Sequence, residues 1–196
     1  MRQRDPNKEE KIKQIALQMI VEEGFDRLSM QKLAKAANVS PATIYIYFKD
    51  REDLILQIGI EEERKMFEAT LLNFDPEMSF EEGLRVQWIN RANYFLKNPN
   101  QMHFMEQLKY SRFSKEINAQ VKSDFVEKMT RFAQKAIDNR ELVPLPVEVY
   151  WSLAFAPLYQ LVKFHVTKKS MHNKPFELDE PTLQHTLSIV LKGLKP

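Results

Sequence analysis

The sequence predicts an all-α protein of about nine helices, and three observations predict it. Apolar residues recur at the helical period through most of the chain, alternating β-branched runs that would mark strands are absent, and only four glycines serve 196 residues. With 43% apolar and 29% charged residues the composition is globular, and the chain is long enough to bury most of its apolar surface. It contains no cysteine. Disulfides, thiolate metal sites and cysteine redox sensing are thereby excluded, and a reducing cytoplasm is suited. No stretch is long and apolar enough to span a membrane, and the start MRQRDPNKEEK is too polar for a signal peptide. A net charge of +2 is too small by itself to argue for nucleic acid.

Arg2 and Arg4 belong to a polar N-terminal arm, expected to be disordered in the free protein. A first helix runs from about Asn7 to Glu23 on the face formed by Ile12, Ile15, Ala16, Met19 and Ile20, and Gly24 stops it. Ser29 caps a second helix whose apolar stripe is Met30, Leu33, Ala34 and Ala37. Asn38 stands where the chain must bend, because Asn tolerates the left-handed conformation. Ser40 caps a third helix with Pro41 at its first position, where a missing N–H costs nothing. On that helix Ile44 and Phe48 share a face, so Thr43, Tyr45, Ile46 and Tyr47 are expected to point elsewhere. Two short helices, a tight turn and an outward display of small, hydroxyl and aromatic groups make a helix-turn-helix pattern. Arg27, Lys32, Lys35, Lys49 and Arg51 surround it.

The run LAKAANVSPATIYIYFKDREDLI resembles the DNA-binding signature of the TetR family of transcriptional regulators. The resemblance covers Ile12 to Leu56 and is carried most specifically by Tyr45, Tyr47, Phe48, Lys49, Glu52 and Leu54. The family often has Gly where this chain has Asn38 and Ala42, and Thr where it has Ser29. The resemblance implies a DNA-binding domain over 1–55 and a helical effector-binding and dimerisation domain over 56–196. It also implies phosphate contacts at Tyr45 and Tyr47.

Asp50 caps a long helix with Glu52 and Asp53 in its first turn, where the helix dipole favours acids. Leu54, Ile55 and Ile58 are expected to cover the reading unit, with Met66, Phe67, Leu71 and Phe74 leading onward. Asp75-Pro76 breaks the pattern. Ser79 and Glu82 form a capping box for a helix that shows Phe80, Leu84, Trp88 and Ala92 at intervals of four. Asn98-Pro99 starts another, with Met102, Met105 and Leu108. Ser114 opens a long helix reaching Ile137, and Arg140 to Pro146 is a loop. From Val147 to Thr167 one helix carries two apolar faces, Val147, Trp151, Ala154, Leu158 and Leu161 on one and Tyr150, Phe155, Tyr159, Val162 and Val166 on the other, so it needs two partners, and Pro157 predicts a kink or local break in it. A polar, flexible link runs from Lys168 to Glu180. The last helix shows Leu183, Leu187, Val190, Leu191 and Leu194 as one stripe. The helices 147–167 and 181–195 resemble the family's dimerisation pair, which implies a homodimer.

In such a protein the third helix enters the major groove of double-stranded DNA, and dimers read two half-sites of a palindromic operator. Thr43 suits a base edge, and Ala42 and Ile46 suit apolar contact beside it. Ser40 and Pro41 stand at the leading end. Tyr45, Tyr47, Lys49 and Arg51 suit phosphates, and the backbone N–H groups of Ser29 and Met30 can hold another. The helix has no Arg, Asn or Gln for bidentate base reading, so the operator is not legible. Candidate effector-pocket residues are Trp88, Tyr94, His103, Gln107, Tyr110, Trp151, Tyr159 and His165, for a small apolar or aromatic effector. Repression is the commoner mode that the resemblance implies. A body that binds a protein partner is the alternative. An all-helical enzyme is the remote one: His103, His165, His172 and His185 are scattered, and zincin, phosphate-loop and calcium-loop motifs are all missing. No cofactor is expected.

Overall fold

The structure is a computed structural model that describes residues 5–121, 123–169, 171 and 174–196. Arg2, Arg4 and His172 lie outside the described residues. Every regular element among those described is helical: α1 (Pro6–Glu23), a 3-10 turn (Phe25–Arg27), α2 (Met30–Ala37), α3 (Pro41–Tyr47), α4 (Arg51–Leu71), α5 (Phe80–Lys97), α6 (Pro99–Lys109), α7 (Ser114–Val121), α8 (Ser123–Asp138), α9 (Val147–Ala154), α10 (Ala156–Thr167) and α11 (Glu180–Leu194). No helix among them is long and apolar enough to cross a membrane.

These elements fall into two compact units, Met1–Lys65 with Asn100–Lys122 and Met66–Pro99 with Ser123–Pro196. This partition differs from the 1–55 and 56–196 division drawn from the sequence, because α6, α7 and the turn between them supply Phe104, Leu108, Phe113 and Ile117 to the core beneath α1–α4. The close approach occurs at Gly59. A Cβ there would collide with Ile117 Cδ1 and stand 3.5 Å from Leu108 Cδ2. Gly59 therefore makes room for a neighbour rather than softening α4.

Local chemistry sets the ends of the helices in the first unit. Asp5 caps α1 by accepting from the Asn7 and Lys8 N–H groups, and Gly24 ends it at φ 84°. Ser29 Oγ accepts from the Lys32 N–H at the start of α2. At its end Asn38 adopts the left-handed conformation (φ 55°, ψ 48°). The Val39 N–H then reaches the Ala34 carbonyl and the Asn38 N–H the Lys35 carbonyl. This paired closure sets the turn of the helix-turn-helix. Asp50 caps α4 through the Asp53 N–H at 2.9 Å.

In the second unit α5 packs against α8, α10 and α11, with Trp88, Phe80, Phe132 and Leu158 fully buried. The break expected from Pro157 is present and falls two residues earlier. The Phe155 N–H still bonds the Trp151 carbonyl and ends α9, and a new helix begins at Ala156. Pro157 has no N–H to offer the carbonyl of Leu153, and its ring crowds the preceding turn. One consequence corrects the sequence reading. Val147 and Trp151 were expected to continue the face of Ala154 and Leu158, yet the former pair is 69% and 41% exposed while the latter is buried. The link from Lys168 to Glu180 is also less free than expected. Phe176 packs edge-on against Phe164, and the Leu178 N–H donates to His165 Nδ1 at 3.0 Å.

Candidate nucleic-acid interface

The surface of interest is built on α3, a helix of seven residues whose own hydrogen bonds are too few to hold it. Packing holds it instead: Ile44 and Phe48 are fully buried in the first unit's core. Ser40 Oγ accepts from the Thr43 N–H at 3.2 Å and lies 2.9 Å from Thr43 Oγ1. The Thr43 hydroxyl is thus already engaged, and a base would have to share or replace Ser40. Ser40, Pro41, Ala42 and Lys49 are exposed, and Tyr45 is 54% exposed. Thr43, Ile46 and Ser29 are half-buried. Met30 is buried, so only its backbone can serve a ligand.

Two residues stand differently from the sequence reading. Tyr47 was expected to point away from the core, yet it is 7% exposed, and its hydroxyl accepts the Asp5 N–H at 3.1 Å. The last turn of α3 rotates Tyr47 toward the start of α1, so the ring packs while the oxygen stays at the rim. Arg51 was expected to neutralise phosphate. Its Nε donates to the Leu28 carbonyl at 2.8 Å, and an Nη donates to the Phe25 carbonyl. The guanidinium fastens the 3-10 turn to α4, which gives Arg51 a structural task. Lys32 pairs with Glu23 at 3.3 Å, but both side chains are exposed enough for water to weaken the pair.

Behind this surface, α1 and α4 line an open cleft of about 490 Å³ with the first turn of α6. Lys13 bridges Glu9 and Glu61, and Lys65 bridges Glu61 and Glu62. Burial disfavours the charges of Lys13 and Lys65, but their carboxylate partners outweigh it and hold both ammonium groups above the usual lysine range. Burial likewise opposes ionisation of Glu61, and its two lysine partners prevail, keeping its carboxyl below the usual value. Glu62 goes the other way: burial raises its carboxyl despite Lys65, and its Oε2 has no hydrogen-bond partner. Among the described residues no group of His, Cys, Asp and Glu is arranged to hold a metal.

The eight candidate pocket residues divide between the two units. His103, Gln107 and Tyr110 belong to the first unit, and the other five to the second. Gln107 Nε2 donates to the Val21 carbonyl at 3.2 Å, and Tyr110 is 82% exposed because it follows the last turn of α6. Trp88 is a satisfied core residue whose Nε1 donates to the Ala154 carbonyl at 2.7 Å. His165 is held by Leu178. Tyr94, Tyr159 and Trp151 do group, through Phe95: Tyr94 meets that ring edge-on at 5.2 Å, Tyr159 meets it at 5.7 Å, and Trp151 stacks on Tyr159 at 5.6 Å.

Sequence reading passed over the polar pair inside the second unit, Gln87 and Arg91, which are 0% and 5% exposed. A signal was available. Gln87 lies three residues after Leu84 and four before Arg91, and Arg91 lies three after Trp88 and four before Phe95, on the apolar stripe itself.

A short helix held by an apolar core, presented after a tight turn on a second helix, defines a helix-turn-helix regulator of transcription. Comparison with known proteins places it further. Residues 14–58 match the model for bacterial regulatory proteins of the tetR family, and residues 80–187 match the tetracyclin repressor-like C-terminal domain. The chain is 34% identical over 137 residues to an HTH-type transcriptional regulator of Haemophilus influenzae, covering 69% of this chain and 73% of that one. Its fold matches a TetR family transcription regulator from Marinobacter aquaeolei with a TM-score of 0.86 and 26% identity, over 100% and 99% of the two chains. A TetR-family regulator from Haemophilus influenzae has the same fold, with a TM-score of 0.78 and 23% identity over 97% of each chain. The chain belongs to the tetR family of bacterial regulatory proteins.

Proposed function

We propose that this protein is a cytoplasmic, homodimeric repressor that binds a palindromic operator and is released by a small effector. The observation that carries the reading is the solvent-facing side of α3, where Ser40, Pro41, Ala42 and Tyr45 stand exposed on a helix anchored by Ile44 and Phe48. In the major groove, Thr43, Ala42 and Ile46 read base edges. Tyr45, Lys49 and the backbone at Ser29 and Met30 engage phosphates, and Tyr47 joins them with the hydroxyl hydrogen that its bond to Asp5 leaves over. DNA contact falls within residues 1–55, although the compact unit that carries it also includes α6 and α7.

Dimerisation and effector binding fall to residues 56–196, with 147–167 and 181–195 forming the dimer surface. Exposed apolar side chains support this: Val147, Val149, Trp151 and Leu153 on α9 and Ile189 on α11 are each at least 41% exposed. α4 is one unbroken helix from Arg51 to Leu71 and gives an effector a covalent route to the reading helix. The effector must prefer the conformation that does not fit the operator, since equal affinity for both conformations shifts nothing.

The test is an anisotropy titration against DNA flanking the protein's own gene at two salt concentrations. Binding tighter than to random DNA, and weakened by salt, is the expected result. Failure of a folded dimer to select any genomic fragment would overturn the reading. Thr43→Val sharpens it: a base reader changes preference between operators by about 1–3 kcal/mol per base. Equal losses on matched and mismatched sites would remove Thr43 from the reading set.

A further inference from the structure

Arg91 sits on α5 in the interior of the second unit, with 5% of its surface exposed. Among the described residues its partners are all neutral. Nη1 donates to Gln87 Oε1 at 3.0 Å and reaches the Gln87 carbonyl at 3.4 Å, and the Phe155 ring lies 4.3 Å from the guanidinium carbon. A buried guanidinium ordinarily has a carboxylate beside it, because an uncompensated charge in an apolar interior is strongly unfavourable. The Gln87 side chain is equally incomplete. Its Oε1 must face Arg91, since the guanidinium can only donate, and its Nε2 is then buried with no acceptor. A cation with unused donors and an amide N–H2 without an acceptor therefore stand side by side.

We propose that Arg91 and Gln87 form the recognition site for the carboxylate of a monoanionic effector with an apolar body. The proposal rests on the reading that this unit holds a small-molecule effector, and it names that molecule's class. The donor geometry selects the headgroup. Phe155 covers a face of the guanidinium and leaves its edge, where the N–H groups fork, for a planar acceptor with two oxygens. A neutral carbonyl would leave the charge unbalanced, and a phosphate dianion would bring surplus negative charge into the same interior. The surroundings select the rest. Phe155 and Phe95 are buried beside this stretch of α5, Tyr150 meets Phe155 edge-on at 6.1 Å, and the Phe95–Tyr159–Trp151 rings lead on toward the exposed edge of Trp151. The break between α9 and α10 falls at Phe155, so the ring over Arg91 sits at the joint between the two helices.

The experiment is a thermal unfolding titration of the full chain. The probes are sodium salts of straight-chain monocarboxylates from acetate to decanoate, with benzoate and phenylacetate. Each is set against its primary amide and against sodium chloride. At least one carboxylate is expected to raise Tm saturably, while its amide and chloride do not. Arg91→Met abolishes the shift, and without ligand this variant melts at or above the wild-type temperature, because it removes an unmatched charge. Gln87→Met and Arg91→Lys weaken the apparent affinity about tenfold, since each loses part of the bidentate pairing, and they carry the test if Arg91→Met does not fold. The proposal is overturned if no carboxylate raises wild-type Tm, if chloride or the amide does so equally, if the shift survives in Arg91→Met, or, where Arg91→Met does not fold, if it survives undiminished in both other variants. Operator release is measured separately. A carboxylate that binds without releasing DNA keeps the site and defeats the ligand-released repressor. A wild-type protein that never selects DNA defeats the regulator and leaves the thermal result standing.

Discussion

In the first unit the core cluster is apolar apart from one tyrosine oxygen at its rim, and its buried acids, Glu62 and Glu63, lie outside that cluster, with Glu62 reaching Lys65. In the second unit a glutamine and an arginine sit on the central helix among Trp88, Phe95 and Phe155, with no opposite charge beside them among the described residues. The two interiors suit different tasks. A reading surface must keep one shape, and close apolar packing around Ile44 and Phe48 gives a seven-residue helix that rigidity. An interior with unused donors is stable only to the extent that something else supplies the acceptor, so its lowest-energy state depends on what is bound. On the proposed reading, rigidity and responsiveness are assigned to different units of one chain by the placement of a few polar atoms.

The strongest way to break the comparison is to open the first unit's core. Phe48→Ala should lower unfolding stability by about 3–5 kcal/mol in urea titrations and abolish operator binding, because the fully buried Phe48 ring anchors the end of α3 in the core. A loss below 1 kcal/mol would mean that α3 is held by something other than packing. In the second unit, Trp88→Phe keeps most of the volume and removes the donor to the Ala154 carbonyl, which is among the last carbonyls of α9. We expect a loss of about 1–3 kcal/mol, with DNA affinity of the folded fraction unchanged. An equal loss of affinity would show that the two interiors are not separable.

Smaller effects sharpen the picture. Tyr47→Phe should cost about 0.5–1.5 kcal/mol of stability by leaving the Asp5 N–H without its acceptor. It should also weaken DNA binding evenly across sequences, which anisotropy on matched and random duplexes would check. Glu62→Gln bears on the pH dependence. Burial raises the Glu62 carboxyl above its unfolded value, so the folded wild type holds that proton more tightly than the unfolded chain does. This contribution is fully present below the ordinary carboxyl range and is lost as pH rises through the raised value. Glu62→Gln should therefore gain over wild type at neutral pH and lose that advantage in acid. Glu61 has the opposite sign: its lowered carboxyl favours the folded state above the ordinary range, and that is lost as pH falls. A neutral-pH loss in Glu62→Gln would mean that the Lys65 bond outweighs burial.

Much of the fold was legible because it depends on neighbours in sequence. Ser29, Asn38, Ser40 and Asp50 act within three or four residues of themselves, and each stands where its capping or turn chemistry placed it. Pro157 broke its helix for an equally local reason. The apolar stripe of α2 is buried, and so is that of α11 except for the half-buried Val190. The sites were less legible, since a side chain's partners come from elsewhere in the chain. Arg51 looked like a phosphate ligand until the carbonyls of Phe25 and Leu28, more than twenty residues earlier, occupied it. Tyr47 took its partner from the start of α1, Gln107 took one from Val21, and Trp88 took one from Ala154.

The sequence by itself determined the helical class, the capped helix-turn-helix and its family, because periodicity and caps are properties of a few consecutive residues. Only the tertiary structure decided that α6 and α7 complete the first unit's core, and that the buried Arg91 has no counter-charge beside it among the described residues. Which helix completes a core and which charges pair depend on the distant segments that meet, and no local pattern fixes that.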